Sequence, residues 1–126
     1  MQNFKLTEEI VAIVYGLIEP LTVPVYRGLK PTKDIYSEYV IVNSLPINAD
    51  VMQKCYVNVN YHVKDLADGV ADDTKLIAGG QAVLTLIKKV TTATYMIDFE
   101  SSEKIRQEAH GEHFLNLRFS FKFINT

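Results

Sequence analysis

From Lys54 to Asp65 the chain reads KCYVNVNYHVKD, and apolar and polar residues alternate along it. Cys55, Val57, Val59, Tyr61 and Val63 fall on one parity, and Tyr56, Asn58, Asn60, His62 and Lys64 on the other. A period of two marks a half-buried strand, which we place from about Val51 to Lys64. The final segment, FLNLRFSFKFIN, repeats the pattern. Leu115, Leu117, Phe119, Phe121 and Phe123 point one way, and Asn116, Arg118, Ser120 and Lys122 the other. EYVIVNSL, residues 38–45, is a third strand. Its Tyr39–Val42 portion is apolar on both parities, as suits an interior strand covered on both sides. Tyr95, Ile97 and Phe99 alternate with Thr94, Met96 and Asp98 in a fourth. A short strand fits Val25–Tyr26, between Pro24 and Gly28.

Two stretches carry the helical period instead. In TEEIVAIVYGLI, residues 7–18, Ile10, Ile13, Val14, Leu17 and Ile18 form one stripe. Thr7 is read as its N-cap, Glu8 and Glu9 suit the positive end of the dipole, and Pro20 ends it. In residues 72–90, Asp72 or Asp73 caps the start and Lys88 and Lys89 sit at the negative end. Leu76, Ile77, Gly80, Val83, Leu84 and Ile87 are the expected buried stripe. Gly79 and Gly80 each cost roughly 1 kcal/mol against alanine inside a helix. A close approach to the sheet or to a neighbouring helix accounts for them.

The order is therefore α-β-β-β-α-β-β. It predicts an α+β fold, one domain over residues 1–126, with a single mostly antiparallel sheet and both helices packed on its greasy face. Cys55, Val57, Val59 and Val63 then face the helices, with the Tyr61 hydroxyl at the rim. Asn58, Asn60 and His62 line an open face. Residues 28–37 read as a loop, with Arg27, Lys30 and Lys33 at or near it. The stretch SSEKIRQEAHGEH, with Glu103, Lys104 and Arg106, has only Ile105 and small residues to bury. It reads as a long loop or extended hairpin tip that projects from the domain.

Composition narrows the function. A chain of 126 residues suits one domain, and its net charge of −2 gives no bulk basic field for nucleic acid. Cys55 is the single cysteine, placed on the apolar parity as a buried small hydrophobe. No secretory signal is visible, and no apolar run approaches the ~20 residues of a membrane span. Catalytic candidates fail one by one. His110 and His113 flank Glu112, but their spacing of three with an intervening glycine departs from the helical zinc-protease pattern. His62 is one imidazole on a polar strand face. Ser101 and Ser102 lack a nucleophile-elbow context, and Asp72–Asp73 are explained by capping. No catalytic residue, cofactor or metal is expected.

The layout resembles the tail-terminator, or tail-completion, proteins of long-tailed bacteriophages. An N-terminal helix leads to VPVYRG, then YVIVNS, then the alternating CYVNVNYHVK. The helix DTKLIAGGQAVLTLI follows, and HGEHFLNLRFSFKF closes the chain. The likeness covers nearly the whole length. It implies a structural virion protein and no enzyme: a homo-oligomeric, hexameric ring that caps the tail tube and joins it to the head-connector or neck protein. The location implied is the virion, and the host cytoplasm during assembly. Neither a membrane nor sequence-specific nucleic-acid binding is implied, with DNA free to pass through the ring. On this reading Asn58, Asn60, His62, Arg118 and Lys122 are subunit contacts. The segments carrying Arg27, Lys30 and Lys33, and Glu103, Lys104 and Arg106, reach tube and connector. The alternatives are a head-closure or connector protein, or a small ligand-binding or enzymatic α+β domain.

Overall fold

The computed structural model describes residues 6–30, 36–45 and 52–124. Helix α1 (Thr7–Ile18) leads to β1 (Val25–Arg27), β2 (Glu38–Ser44) and β3 (Met52–Lys64). Helix α2 (Asp73–Ile87) follows, then β4 (Lys89–Thr91), β5 (Tyr95–Gln107), a 3-10 turn (Glu108–His110) and β6 (Glu112–Ile124). The strands form one six-stranded sheet in the order β1-β2-β3-β6-β5-β4. Only β1 and β2 run parallel; every other pairing is antiparallel. The fold is the expected α+β arrangement with one more strand than anticipated. Lys33 and most of the 45–50 turn lie outside the described residues.

The parity read from the sequence fixes the two faces. Val40 and Val42 of β2 lie beside Tyr61 and Val59 of β3, which lie beside Leu115 and Leu117 of β6. Against this surface α1 sets Ile10, Val14 and Ile18, and α2 sets Leu76, Val83 and Ile87, all buried in one core. Burying each such side chain contributes on the order of 1.5–3 kcal/mol. Cys55 is buried in the same layer. The Tyr61 hydroxyl donates to Glu38 Oε1 at 3.0 Å, as its place at the rim predicts. The phenol is pushed above its ordinary range by burial and then by the Glu38 carboxylate.

Several local expectations are corrected. Leu6, not Thr7, is the N-cap of α1, and Glu9 turns back to accept from the Leu6 N–H at 3.3 Å. Asp72 does cap α2, accepting from the Lys75 N–H at 3.2 Å. That helix ends at Ile87, and Lys89–Thr91 become a strand. The β-branched Val90, Thr91 and Thr92 prefer the pleated conformation, and the Thr92 hydroxyl closes the hairpin by accepting from the Tyr95 N–H at 3.0 Å. Ile77, expected in the buried stripe, is 62% exposed. The helix is rotated so that Gly79 and Gly80 both face the sheet. A Cβ at Gly79 would lie 2.2 Å from Tyr61 Cε1, and one at Gly80 would lie 2.6 Å from Leu115 Cδ2.

The largest correction concerns the polar segment after Phe99. Of the two readings, long loop or extended hairpin tip, the hairpin holds: β5 continues to Gln107, paired with β6 as far as Glu112. Backbone pairing, not side-chain burial, holds it in the sheet. A bulge at Glu100 shifts the register between Phe99 and Ser101. It also exchanges the faces. Tyr95, Ile97 and Phe99 point to the helices, whereas beyond the bulge Ser102, Lys104 and Arg106 do. Lys104 Nζ accordingly reaches Asp73 Oδ1, at the start of α2, at 3.1 Å. Ile105 turns to the opposite face beside Phe114. Replacing 101–110 by a tight turn would therefore strip the ladder from half of β6.

Candidate functional site: the polar face of the sheet

Both helices pack on one side, so the other side of β2, β3, β6 and β5 has no helix against it among the described residues. The ladder sets its side chains in rows across the strands. One row in from the β5–β6 turn, next to the Lys64–Glu112–Gln107 row, are Tyr39, His62, Phe114 and Ile105. The His62 ring is stacked between two others, its centroid 4.5 Å from Tyr39 at an interplanar angle of 9° and 4.7 Å from Phe114. Glu112 reaches into this row. It accepts from the Tyr39 hydroxyl, and one of its oxygens lies 2.9 Å from His62 Nδ1. Burial raises the Glu112 pKa. Hydrogen bonds from His62 and Tyr39, with the electrostatic influence of the nearby His62 and His110 rings, outweigh it, leaving the carboxyl below its ordinary value. The Tyr39 phenol moves up, through burial first and the Glu112 contact second.

A phenol, an imidazole and a carboxylate in contact suggest acid–base chemistry, but the geometry opposes it. His62 is 3% exposed, and its Nε2 is buried with no hydrogen-bond partner among the described residues. None of the three lines the cavity bordered by Glu8, Arg27 and Ser44, so no substrate atom reaches them from it. The cluster instead ties β2, β3 and β6 together. Glu112→Gln retains an acceptor but loses the charge, and we expect a loss of about 1–2 kcal/mol at neutral pH. The folded-state pKa of Glu112 is depressed, so its contribution is present above the ordinary carboxylate value of 4.5 and is lost as pH falls through the lower folded value. Denaturant midpoints measured from pH 7 to 3 should therefore converge for wild type and Glu112→Gln at the acid end. A gap that stays constant with pH would remove the carboxylate from the account.

The next rows are amides. Asn116 Nδ2 donates to Asn60 Oδ1 at 2.7 Å and Asn58 Oδ1 at 3.2 Å, and Asn58 Nδ2 donates to Asn43 Oδ1 at 3.1 Å. Asn58 and His62, expected to line an open surface, are on the expected face but buried, at 8% and 3% exposure. Asn60 is half-buried. At the far end of the face lie Tyr56, Lys54, Arg118 and Lys122. Lys54 Nζ and Arg118 Cζ each sit 5.6 Å from the Tyr56 ring centroid.

The remaining anticipated contact residues scatter. Arg27 lies on the helix side, its guanidinium 5.1 Å over the Tyr15 ring. It borders a cavity of about 480 Å³ between the start of α1, Gly28 and the end of β2. Lys30 Nζ is 5.3 Å over the Tyr39 ring on the polar face. Glu103 is exposed opposite Asn116, while Lys104 and Arg106 face the helix side. His113 is also on the helix side, with Nδ1 2.6 Å from Asp65 Oδ1, and His110 is exposed at the turn. Among the described residues no three His, Cys, Asp or Glu side chains assemble as a metal site.

Sequence reading missed Tyr39, Glu112 and Phe114 as one unit. Their union depends on a ladder register that no local pattern encodes. Lys54 and Tyr56 were legible, since they share the parity of Asn58. The chain is thus a two-layer α+β domain whose polar sheet face is its most differentiated surface. It matches no protein-family model, and no curated protein resembles it at a significant level.

Proposed function

We propose that this chain is a structural virion protein of a long-tailed bacteriophage, assembling as a ring that caps the tail tube and joins it to the head-connector. The observation that carries the reading is the one-sided sheet. Six strands place both helices on one face and leave the other without one among the described residues. That face is polar and internally hydrogen-bonded at its centre, with cations at one end. Such a surface suits subunit packing, in which polar and charged groups set register and partner choice. The layout that resembles tail terminators, helix, strands, helix and a closing hairpin, is also the order along this fold. The protein acts in the virion and assembles in the host cytoplasm.

The test is mass in solution together with negative-stain imaging, at several protein concentrations and with tail tubes present. Rings of six subunits seated on tube ends are expected. A chain that stays monomeric throughout and leaves tube ends bare would exclude the reading. The small-ligand alternative draws on the cavity beside Arg27, whose volume lies in the range of ligand sites.

A further inference from the structure

We propose, building on the ring reading, that the basic end of the polar face receives the outer edge of β5 from a second copy of the chain, with Glu100 and Glu103 of one subunit meeting Arg118, Lys122 and Lys54 of the next. Lys54 and Lys122 are direct cross-strand neighbours in the β3–β6 ladder. Like charges so placed repel. Arg118 lies on the same face of β6, and it and Lys54 converge on the Tyr56 ring. None of these three cations has an ion-pair partner among the described residues. Asp98 is the carboxylate beside them, across from Ser120, and Lys89 already holds it at 3.8 Å. The site is a cluster of positive charge around an aromatic ring that no acidic side chain among the described residues pairs.

The complement is at the sheet edge. β4 covers β5 only along Met96–Asp98, so from Ser101 to Gln107 the outer edge of β5 has no strand partner among the described residues. Its charges are sorted by the bulge. Lys104 and Arg106 are turned to the helix side, Lys104 onto Asp73 at 3.1 Å and Arg106 within 3.9 Å of Glu108. Glu100 at the bulge and Glu103 on the polar face are exposed, without an ion-pair partner among the described residues. The free charge that this edge offers is negative.

Two β5 edges cannot satisfy one another. Antiparallel pairing about a two-fold axis sets Lys104 against Lys104 or Arg106, which opposes a symmetric dimer. Edge onto basic end is heterologous, and repetition of a heterologous contact generates a ring when its rotation closes. A second copy is favoured over nucleic acid because an extended polyanion on this face would also run over Asp98 and Glu103, whereas the β5 edge brings only the two carboxylates of Glu100 and Glu103 to the three cations.

The experiment is a charge-swap cycle read as oligomer mass against protein concentration, with duplex DNA binding measured in parallel. Arg118→Glu with Lys122→Glu, and separately Glu100→Lys with Glu103→Lys, should each raise the concentration for half-assembly tenfold or more. All four substitutions in one chain should restore it toward wild type. The substituted side chains are exposed or half-buried, and unchanged circular dichroism and thermal unfolding confirm the fold. Should a pair perturb it, the neutral Lys122→Gln and Glu103→Gln variants repeat the cycle with smaller shifts of the same sign. Wild-type assembly in either charge-reversed pair, or no recovery in the fourfold variant, overturns the docking while leaving the ring itself standing. So does DNA binding that disappears in the Arg118/Lys122 pair with assembly unaltered. Absence of any wild-type oligomer, alone or on tail tubes, sinks both.

Discussion

Val59→Asp yields no folded protein. Val59 is fully buried between Val42 of β2 and Leu117 of β6, on the face that both helices cover. The substitution forfeits roughly 1.5–3 kcal/mol of valine burial. It also places a carboxylate in an apolar layer between Val42 and Leu117, at an effective cost of several kcal/mol. Against a total stability of about 5–15 kcal/mol, that sum removes most or all of the native state. Asn60→Asp, one residue along, is the control. Asn60 is half-buried on the other face and already accepts from Asn116 Nδ2 at 2.7 Å, a role a carboxylate fills as well. Amide dispersion in a two-dimensional NMR spectrum should be lost in the first variant and kept in the second. The reverse outcome would mean that the two faces are exchanged.

Gly79→Ala is the second large effect, and it separates two opposed contributions. Alanine is better than glycine in a helix by about 1 kcal/mol. The added methyl, however, would sit 2.2–2.5 Å from three atoms of the Tyr61 ring. That ring cannot swing aside, because its hydroxyl is held on Glu38 and its base lies in the middle of β3. The helix must lift off the sheet, and overpacking of this kind costs about 1–3 kcal/mol or more. Steric cost wins, and the denaturant midpoint falls. At Gly80 the atom met is Leu115 Cδ2 at 2.6 Å, the far end of a half-buried, rotatable side chain. Gly80→Ala should therefore sit near neutral. Equal destabilisation at both positions would show that the neighbours do not decide the outcome.

The pair of glycines is also a fair measure of what the sequence could say. A buried helix that carries two adjacent glycines announces a close approach, although not onto which residue. The parity of β3 and β6 was legible because each strand has one greasy and one polar face over many residues, and a slip of one would invert them all. β5 was legible only up to Phe99. Beyond the bulge at Glu100 its charged residues lie on both faces, and an edge strand needs no apolar face of its own to pair. The alternation test therefore had no purchase there. The Tyr39–His62–Glu112 cluster was hidden for a different reason. Its members come from three strands, and only the register of two ladders brings them together. Burial of His62 and Asn58 on a face that reads as wet follows from the same fact: the Tyr39 and Phe114 rings cover His62 from either side, and Asn58 is tied to Asn43 and Asn116.

The position of β6 has a consequence for how the chain reaches this structure. It lies between β3 and β5, and the strands on either side of it do not pair with one another without it. The first three strands and the β4–β5 hairpin are thus two incomplete pieces, each with an unpaired edge, until the final strand enters between them. Its partners on β3 lie dozens of residues earlier in the chain, so most of the loop-closure entropy falls due before the central ladder can form. Folding is accordingly slow for a domain of this size and close to all-or-none, and chains interrupted ahead of Glu112 carry two exposed strand edges that invite aggregation.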